Sequence, residues 1–462
     1  MNYLNIDYSV KNLPALDPDF IPLGVWMQNY LQTADRPFAI ALEREDGKIH
    51  VCRSCLRSEN YAAANLCYVE RLVKFFLWSV GGFRVFLCGC EKEAQALQKI
   101  YSPTGRRRFD ADFVHTVYER NLEIISCDAD HFPEENEVTV AAGGHLDGCR
   151  IGFDAGGSDR KVSAVVDGQV VYSEEVTWFP KTHADPAYHY EEILAAFRSA
   201  ASHMPRVDAI GVSTAGVVVG QSPMYSSLFL QVPSRRRQEV KTIYTRAAAA
   251  FGPVPLTVAN DGDVTALAGA MSFHGGAILG LAMGTSEAAG YVAEDGNLSG
   301  WLNELAFAPV DLNENAPMDD WSMDRGIGSQ YFSQDAVIRL AMAAGITLDE
   351  TLSPAEKLRV VQQLVSQGHP GALSVFRTMG TYLAHTLVLY ARFYPLRRLL
   401  ILGRVVSGVG GDVMVAECGR VLEEEYPDLR QHITLTLPDE ATRRIGQSAA
   451  AASLPITARS ER

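Results

Sequence analysis

Long apolar runs are missing from this chain, and none approaches the roughly 18 residues that a membrane-spanning helix requires. The first residues also lack the order of a secretory signal peptide, in which a basic segment precedes an apolar one. We therefore expect a soluble, cytoplasmic protein that has no membrane partner.

Positive charge and cysteine are both scarce. The formal net charge is −14, so a nucleic-acid-binding face would need a local basic patch. Two arginine triplets, at 106–108 and 235–237, are short and typical of solvated loops. Eight cysteines in 462 residues are too few for a disulfide scaffold. We expect neither a nucleic-acid partner nor a disulfide framework.

Two cysteine pairs could together bind a zinc ion, because Cys52 and Cys55 form C-x-x-C while Cys88 and Cys90 form C-x-C. Both pairs lie in or beside apolar β-type runs, where cysteine packs as a small apolar side chain. The glycine and polar loops that usually flank zinc ligands are sparse here. The pattern favours packing, with zinc binding as the alternative.

The chain is long enough for two or three domains of roughly 100–200 residues each. Its first part shows no helix-turn-helix order, and no ligand can be assigned to it. The pattern there predicts a hairpin that turns at Asp46-Gly47, a helix over 60–80, a strand over 84–88, and an acidic linker or loose sheet edge over 121–140. The later part alternates strands with helices, which favours mixed sheets flanked by helices.

One glycine turn carries most of the functional information. Residues 151–158 read I-G-F-D-A-G-G-S, so an apolar run ends at Asp154 and is followed by Gly156, Gly157 and Ser158. The glycines let the backbone approach a phosphate closely, and the serine adds a hydroxyl donor. A carboxylate at this position suits the hydrated Mg²⁺ that accompanies a nucleotide. The turn therefore predicts a phosphate site.

Two further glycine turns follow β-type runs, at 284–290 and 403–411, with Asn260-Asp261 between the first two turns. This order resembles the ROK family of sugar kinases and regulators, within the actin-like ATPase superfamily. The resemblance covers about residues 150–452. It implies an α/β fold of two actin-like (ribonuclease H-like) lobes with mixed sheets. The implied organisation is an N-terminal α+β or α/β extension over 1–148 and lobes over 149–270 and 271–462.

The resemblance also implies which residues bind and activate the sugar. V-A-N-D-G-D resembles the strand end whose aspartate is the family's catalytic base, which implies Asp261 as base and Asn260 as substrate ligand. G-W-L-N-E-L-A-F resembles G-x-x-G-E-x-G-H, which implies Asn303 and Glu304 as sugar ligands. The residues alone leave open a helix cap for Asp261 and a surface position for Glu304. Asp263 is expected to cap the following helix.

The same resemblance implies a nucleotide site. D-A-G-G-S resembles the first phosphate turn, A-M-G-T-S-E-A-A-G the second phosphate loop, and L-I-L-G-R-V-V-S-G-V-G-G-D the adenosine motif. ATP and Mg²⁺ are the implied cofactors. The residues implied to bind them are Asp154, Gly156, Gly157, Ser158, Gly284, Thr285, Gly403, Gly410 and Gly411.

Several positions depart from the family pattern. The zinc motif C-x-C-G-x-x-G-C is absent and Phe307 replaces its histidine partner, so no structural zinc is expected. Glu287 adds a carboxylate to the second phosphate loop, as a sugar ligand, a metal ligand or an inert loop residue. A carboxylate beside a polyphosphate needs a metal or a cation to neutralise it, and the candidates are Arg160, Lys161 and Arg404.

Two functional hypotheses follow. The first is ATP-dependent phosphorylation of a hydroxyl of a hexose or an N-acetylhexosamine, with Asp261 accepting the hydroxyl proton. The second is a catalytically silent protein that binds a sugar or a sugar phosphate, which the altered second loop favours. Both imply a small-molecule sugar partner and allow a homodimer, whereas a DNA-binding repressor is disfavoured.

Overall fold

The computed structural model of the protein describes residues 1–137, 143–437 and 440–457. The end of the predicted acidic stretch, residues 138–140, lies outside these residues. Within them, no helix is both long and apolar enough to cross a bilayer. The predicted α/β class with mixed sheets flanked by helices is confirmed.

The N-terminal section folds around a sheet of order β4-β3-β5-β6, in which β6 runs parallel to β5 and the other pairs are antiparallel. The hairpin turn at Asp46-Gly47 is confirmed, and both residues have the positive φ that aspartate and glycine tolerate. The acidic stretch is a sheet edge rather than a linker. The elements are β1 (Asn2–Tyr3), β2 (Ile6–Asp7), α1 (Leu23–Leu31), β3 (Arg36–Glu43), β4 (Ile49–Leu56), α2 (Ala62–Ser79), β5 (Arg84–Cys88), α3 (Glu91–Ile100), α4 (Arg108–Tyr118) and β6 (Glu123–Cys127).

The cysteine pairs lie on strands that β3 separates, because Cys52 in β4 pairs with Ile40 and Cys88 in β5 pairs with Ala39. Burial raises the pKa of the Cys52 thiol to about 11 and that of Cys90 to about 12. Across the described residues, no group of three or more His, Cys, Asp or Glu side chains is arranged to hold a metal ion. These thiols pack as small, protonated apolar groups.

The first lobe is built on a sheet of order β13-β10-β7-β8-β9. Strands β13, β10 and β7 are parallel, and β8 and β9 are antiparallel to their neighbours. The elements are β7 (Cys149–Ala155), β8 (Asp159–Val166), β9 (Gln169–Thr177), α5 (Pro186–Ala201), β10 (Ala209–Thr214), β11 (Val217–Val219), β12 (Ser222–Tyr225), α6 (Arg237–Lys241), α7 (Ile243–Ala249), β13 (Leu256–Asn260) and α8 (Asp261–Phe273).

The second lobe has a sheet of order β15-β14-β16-β17, in which β14, β16 and β17 are parallel and β15 is antiparallel to β14. Glycine turns follow the carboxyl ends of β7, β14 and β16, the strand ends at which open α/β sheets bind ligands. The elements are β14 (Ile278–Met283), β15 (Glu287–Val292), α9 (Gln334–Ala343), α10 (Pro354–Ser366), α11 (Pro370–Phe393), β16 (Arg398–Leu402), α12 (Val409–Glu425), α13 (Pro427–His432), β17 (Thr434–Thr436) and α14 (Glu440–Ala452).

The last helix, α14, crosses back and packs on β7 and β10 of the first lobe. Two glycines make this close approach possible. A Cβ on Gly152 would lie 1.8 Å from the carbonyl oxygen of Ser448, and one on Gly211 would lie 1.7 Å from that of Ala451. Any larger residue at either position would push the helix off the sheet.

The N-terminal section shares one hydrophobic core with the second lobe, whereas the first lobe has a core of its own. Helix α1 lies so close to α11 that a Cβ on Gly24 would be 2.5 Å from the backbone nitrogen of Leu389. The ring centroids of Phe75 and Phe393 are 4.9 Å apart. This shared core fixes α2 and α4 beside the interlobe cleft.

Candidate functional site

A cavity of about 720 Å³ lies between the two lobes. It is bounded by the end of β13 and the start of α8, by the β14–β15 hairpin, and by segments 304–307 and 319–335. Five residues singled out in the sequence line it together, namely Asn260, Asp261, Thr285, Glu287 and Glu304. Asn260 and Glu304, which are 44 positions apart in sequence, thus line the same cavity.

Asn260 and Asp261 have different roles at the start of α8. The Asn260 side chain caps the helix, since its Oδ1 accepts from the Gly262 N–H at 2.7 Å and its Nδ2 donates to the Gly216 carbonyl at 2.8 Å. Asp261 also accepts from the Gly262 N–H, at 3.0 Å, and its side chain lines the cavity. Burial, with the charge of Asp154, raises the pKa of Asp261 to about 7.

The prediction that Asp263 caps α8 is wrong. As the third residue of the helix it faces inward, where its Oδ1 accepts from the Tyr291 N–H at 3.2 Å and from Asn303 Nδ2 at 2.9 Å. Asn303 in turn accepts from the Tyr394 hydroxyl at 3.0 Å. Asn303 therefore lies behind the cavity wall, where it joins α8 to the loop that carries Glu304.

Glu304 is held from behind by the N-terminal section. Its backbone N–H donates to the Trp78 carbonyl at 2.8 Å, and the Asn303 N–H donates to Ser79 at 2.9 Å, both at the end of α2. The Glu304 side chain lines the cavity near Asp261. Burial raises its pKa to about 8, and the charges of Asp261 and Asp263 add to the shift. It is not an isolated surface carboxylate.

Glu287 is the first residue of β15 and is only 4% exposed. Within the described residues neither of its carboxyl oxygens has a partner in hydrogen-bonding geometry, although the Tyr390 hydroxyl lies close by. Burial raises its pKa to about 8, with a contribution from Glu304.

The first glycine turn, which is predicted to bind phosphate, joins β7 to β8. Asp154 is buried at the end of β7, accepts from the Ser213 hydroxyl at 2.8 Å, and has a pKa raised by burial to about 6. The Trp178 indole N–H donates to the Gly156 carbonyl at 2.8 Å and braces the turn. A Cβ on Gly157 would lie 2.9 Å from Lys181 Nζ, so this ammonium lies over the turn.

The second and third turns contact each other. Gly403 has φ 100°, and a Cβ there would lie 2.1 Å from the Met283 carbonyl oxygen, so only glycine fits. The next residue, Arg404, donates to the Thr285 hydroxyl at 3.4 Å. Among the three cations expected to neutralise this loop, Arg404 contacts it directly. Arg160 instead pairs with Glu192, and Lys161 lies 3.6 Å from Asp159.

Gly410 and Gly411 serve the packing of α12, and neither lines the cavity. A Cβ on Gly410 would lie 2.7 Å from the Phe376 ring, and one on Gly411 would lie 2.1 Å from the Val406 carbonyl oxygen. Their missing side chains bring the first turn of α12 against α11. Gly284 likewise makes backbone contacts, since its carbonyl accepts from the Gln334 N–H at 2.9 Å.

An aromatic wall that sequence reasoning missed forms one side of the cavity. It consists of Phe113, Tyr225, Phe307 and Trp321. The ring centroids of Tyr225 lie 5.6 Å from Phe113 and 5.7 Å from Trp321, and those of Phe307 and Trp321 are 5.6 Å apart. The four rings come from four distant segments, so no local motif could have revealed them.

A buried ion-pair cluster holds the loop that carries Trp321. The cluster consists of Glu70, Lys74, Arg107, Asp110 and Asp324. Lys74 Nζ lies 2.8 Å from a carboxylate oxygen of Asp110 and 2.8 Å from one of Asp324. Burial alone would lower the pKa of Lys74, but these two carboxylates raise it above its ordinary value. The cluster ties Asp324, and with it Trp321, to α2 and α4.

No protein-family model matches the chain, and no curated protein matches it in sequence. Among solved structures, a ROK family transcriptional regulator, a homologue of the E. coli MLC protein, is similar over 67% of this chain and 78% of its own, with 16% identity and a TM-score of 0.53. The chain has the ROK fold. The predicted resemblance is thereby confirmed at the level of the fold.

Two sugar kinases of the same family are also similar to this chain. The ROK hexokinase from Thermus thermophilus is 18% identical over 66% of this chain and 97% of its own, with a TM-score of 0.49. The ROK glucokinase from Streptomyces griseus, solved with glucose and AMPPNP, is 18% identical over 66% of this chain and 98% of its own, with a TM-score of 0.48.

Proposed function

We propose that the protein is an ATP- and Mg²⁺-dependent kinase that phosphorylates a hydroxyl of a hexose-class sugar. The observation that carries the proposal is Asp261, a carboxylate that lines the interlobe cavity while Asn260 caps the helix. A general base works best when its pKa lies near the working pH, and burial raises the pKa of Asp261 to about 7.

In the proposed reaction, Asp261 takes the proton of the acceptor hydroxyl. The acceptor oxygen forms a bond to the γ-phosphorus while the bond from that phosphorus to the bridging oxygen of ADP breaks. Glu304 would accept hydrogen bonds from neighbouring sugar hydroxyls, and Asn303 would position it from behind. The orientation that these contacts provide brings the hydroxyl close to both the base and the phosphoryl group.

The nucleotide would lie along the three glycine turns. Lys181 and Arg404 are the cations beside the first and second turns, and they would offset the charge of the phosphates. Asp154 fits a hydrated Mg²⁺, because this ion is usually held by one or two carboxylates together with phosphate oxygens. Bound Mg²⁺ would neutralise charge that develops on the phosphates.

The test is phosphoryl transfer from ATP, with Mg²⁺, to a panel of hexoses, hexosamines and N-acetylhexosamines. Asp261→Asn should lower kcat/KM by about 100-fold to 10,000-fold, the range that a general base contributes. Asp112→Asn is the matched control, since this exposed aspartate on α4 lies outside the cavity. Turnover of Asp261→Asn at the rate of the wild type would refute the role of Asp261.

A catalytically silent sugar-binding protein is the second candidate, favoured by the buried carboxyl of Glu287 in the second phosphate loop. Thermal unfolding separates the two candidates. Stabilisation by a sugar, with none by ATP and Mg²⁺ and no turnover on any sugar, would favour the silent protein and exclude the kinase.

A further inference from the structure

The interlobe cavity has a polar end and an apolar end. At the polar end, Asp261 and Glu304 line the cavity and are partly buried. At the apolar end, Leu230 and Trp321 line it and are 59% and 54% exposed. Large apolar side chains that stay exposed together beside a cavity are typical of a surface that a ligand covers.

The aromatic wall joins the two ends. The Phe307 N–H donates to the Glu304 carbonyl at 3.2 Å, so the wall begins beside the polar end. The ring centroids of Phe307 and Trp321 are 5.6 Å apart, which continues the wall to the apolar end. Three of the side chains along this side, Phe113, Phe307 and Leu230, have no hydrogen-bonding group. A ligand that follows the wall therefore meets mainly apolar surface beyond Glu304.

The N-terminal section holds the wall in place. Phe113 belongs to α4, and the Trp78 ring of α2 has its centroid 4.6 Å from that of Phe113 and 4.4 Å from that of Phe307. The buried ion-pair cluster holds the loop that carries Trp321. Rings that are fixed before a ligand arrives lose little conformational freedom on binding, which favours affinity.

We infer that the acceptor is a glycoside with an aromatic aglycone. Its sugar ring lies at the polar end, with hydroxyls toward Asp261 and Glu304, while the aglycone packs on the wall and covers Leu230 and Trp321. The cavity of about 720 Å³ falls within the range of sites that hold drug-sized ligands.

Other acceptors fit this cavity less well. A free hexose leaves the exposed apolar end in water. A second sugar ring in place of the aglycone brings its hydroxyls against side chains that do not hydrogen-bond, which costs free energy. The inference rests on the proposed function, because it names the substrate class of the proposed acceptor site.

The experiment measures binding to the full chain by calorimetry without nucleotide, and turnover with ATP and Mg²⁺. Both anomers of glucosides, galactosides, mannosides and N-acetylglucosaminides are compared as sets that differ only in the aglycone, which is methyl, phenyl or glucosyl. At least one phenyl glycoside should bind about 10-fold to 100-fold more tightly than its methyl and glucosyl partners, the range expected for burying an aromatic ring.

Two variants and one control test the residues. Leu230→Ala and Trp321→Ala should each lower the ratio of phenyl to methyl binding constants by about 5-fold or more, because each removes apolar surface that the aglycone covers. Both side chains are exposed, so neither change leaves a hole in a core. Met342→Ala is the matched control, since Met342 is 60% exposed on α9, lies outside the cavity, and should keep the wild-type ratio.

The possible failures can be told apart. Equal binding of methyl and phenyl glycosides, or tighter binding of the glucosyl partner, overturns the inference, and turnover of any sugar in that case leaves the kinase proposal standing. A preference for a phenyl glycoside without turnover supports the inference and overturns the kinase. An undiminished preference in both variants overturns the assignment of the apolar end, and absence of any binding overturns both proposals.

Discussion

At the scale of single residues, the central feature is that Asn260 caps α8 and leaves the Asp261 carboxyl to line the cavity. Asn260 satisfies the Gly262 N–H at 2.7 Å, so the Asp261 carboxyl need not serve as the cap. Asp154 and Glu304 add negative charge around it. These surroundings raise the pKa of the Asp261 carboxyl to about 7, and a general base is most effective when its pKa lies near the working pH.

The pH dependence of the reaction follows from this raised pKa. Asp261 accepts a proton only when ionised, so kcat/KM should rise as the pH increases through about 7. Initial rates from about pH 5 to about pH 9 test this, with apparent values that belong to the interacting carboxyls as a group. A rise centred near pH 4 would mean that an ordinary, solvated carboxylate is the base.

At the scale of elements, α2 and α4 support the loop that carries Trp321. The ion-pair cluster joins Lys74 of α2, Asp110 of α4 and Asp324 of the loop that carries Trp321. Trp78 lies one turn further along α2, and its ring centroid is 4.4 Å from that of Phe307. Side chains of the N-terminal section thus shape the wall of the cavity.

Replacing Lys74 by methionine tests this support. The change removes the cation that lies between two buried carboxylates, so the free energy of unfolding should fall by about 3–5 kcal/mol. Urea denaturation measures the loss. Lys92→Met is the control, since the pair of Lys92 with Glu59 is exposed and its removal should leave stability unchanged. If Lys74→Met and the wild type have the same free energy of unfolding, the ion-pair cluster does not stabilise the fold.

The elements that sequence analysis predicted well are those fixed by local chemistry. The turn at Asp46-Gly47 follows from two adjacent residues that tolerate positive φ, and the turn after Asp154 lies at the end of β7. Residues 237–249 form two helices that meet at Thr242, and the local pattern does not report this bend. The ion-pair cluster depends on packing between segments hundreds of residues apart, which no local pattern encodes.

In the candidate site, too, the residues marked by a local motif were predicted and those brought in by tertiary contacts were not. The motif around Asn260-Asp261 predicted residues that do line the cavity, because strand ends and helix starts leave a local signature. Lys181 was missed, since it lies in the loop after β9 and meets the first turn only in three dimensions. The predicted role of Asp263 was wrong because both Asn260 and Asp263 are residue types that cap helices. Asn260 is the cap, and the contact of Asp263 with the Tyr291 N–H is a tertiary one that the sequence does not reveal.

At the scale of the whole molecule, the described buried apolar side chains form three clusters, and none of the three belongs to the N-terminal section alone. The N-terminal section and the second lobe share apolar side chains, as the contact of Phe75 with Phe393 and that of Phe20 with Tyr382 illustrate. The first lobe has its own core and is closed by α14, which comes from the end of the chain. The interlobe cavity therefore depends on segments from the whole length of the sequence.

This arrangement predicts that residues 143–462 will not fold by themselves. Without α1 and α2, the buried face of α11 around Leu389 would meet water, and an exposed apolar surface of this size promotes aggregation. Soluble yield and far-UV circular dichroism measure the outcome. Co-expression of residues 1–137 as a separate chain is the control, and it should restore solubility because the missing surface is supplied. The prediction is wrong if the fragment 143–462 is soluble and phosphorylates sugars at the rate of the full chain. In that case the N-terminal section folds independently, and the shared core does not stabilise the second lobe.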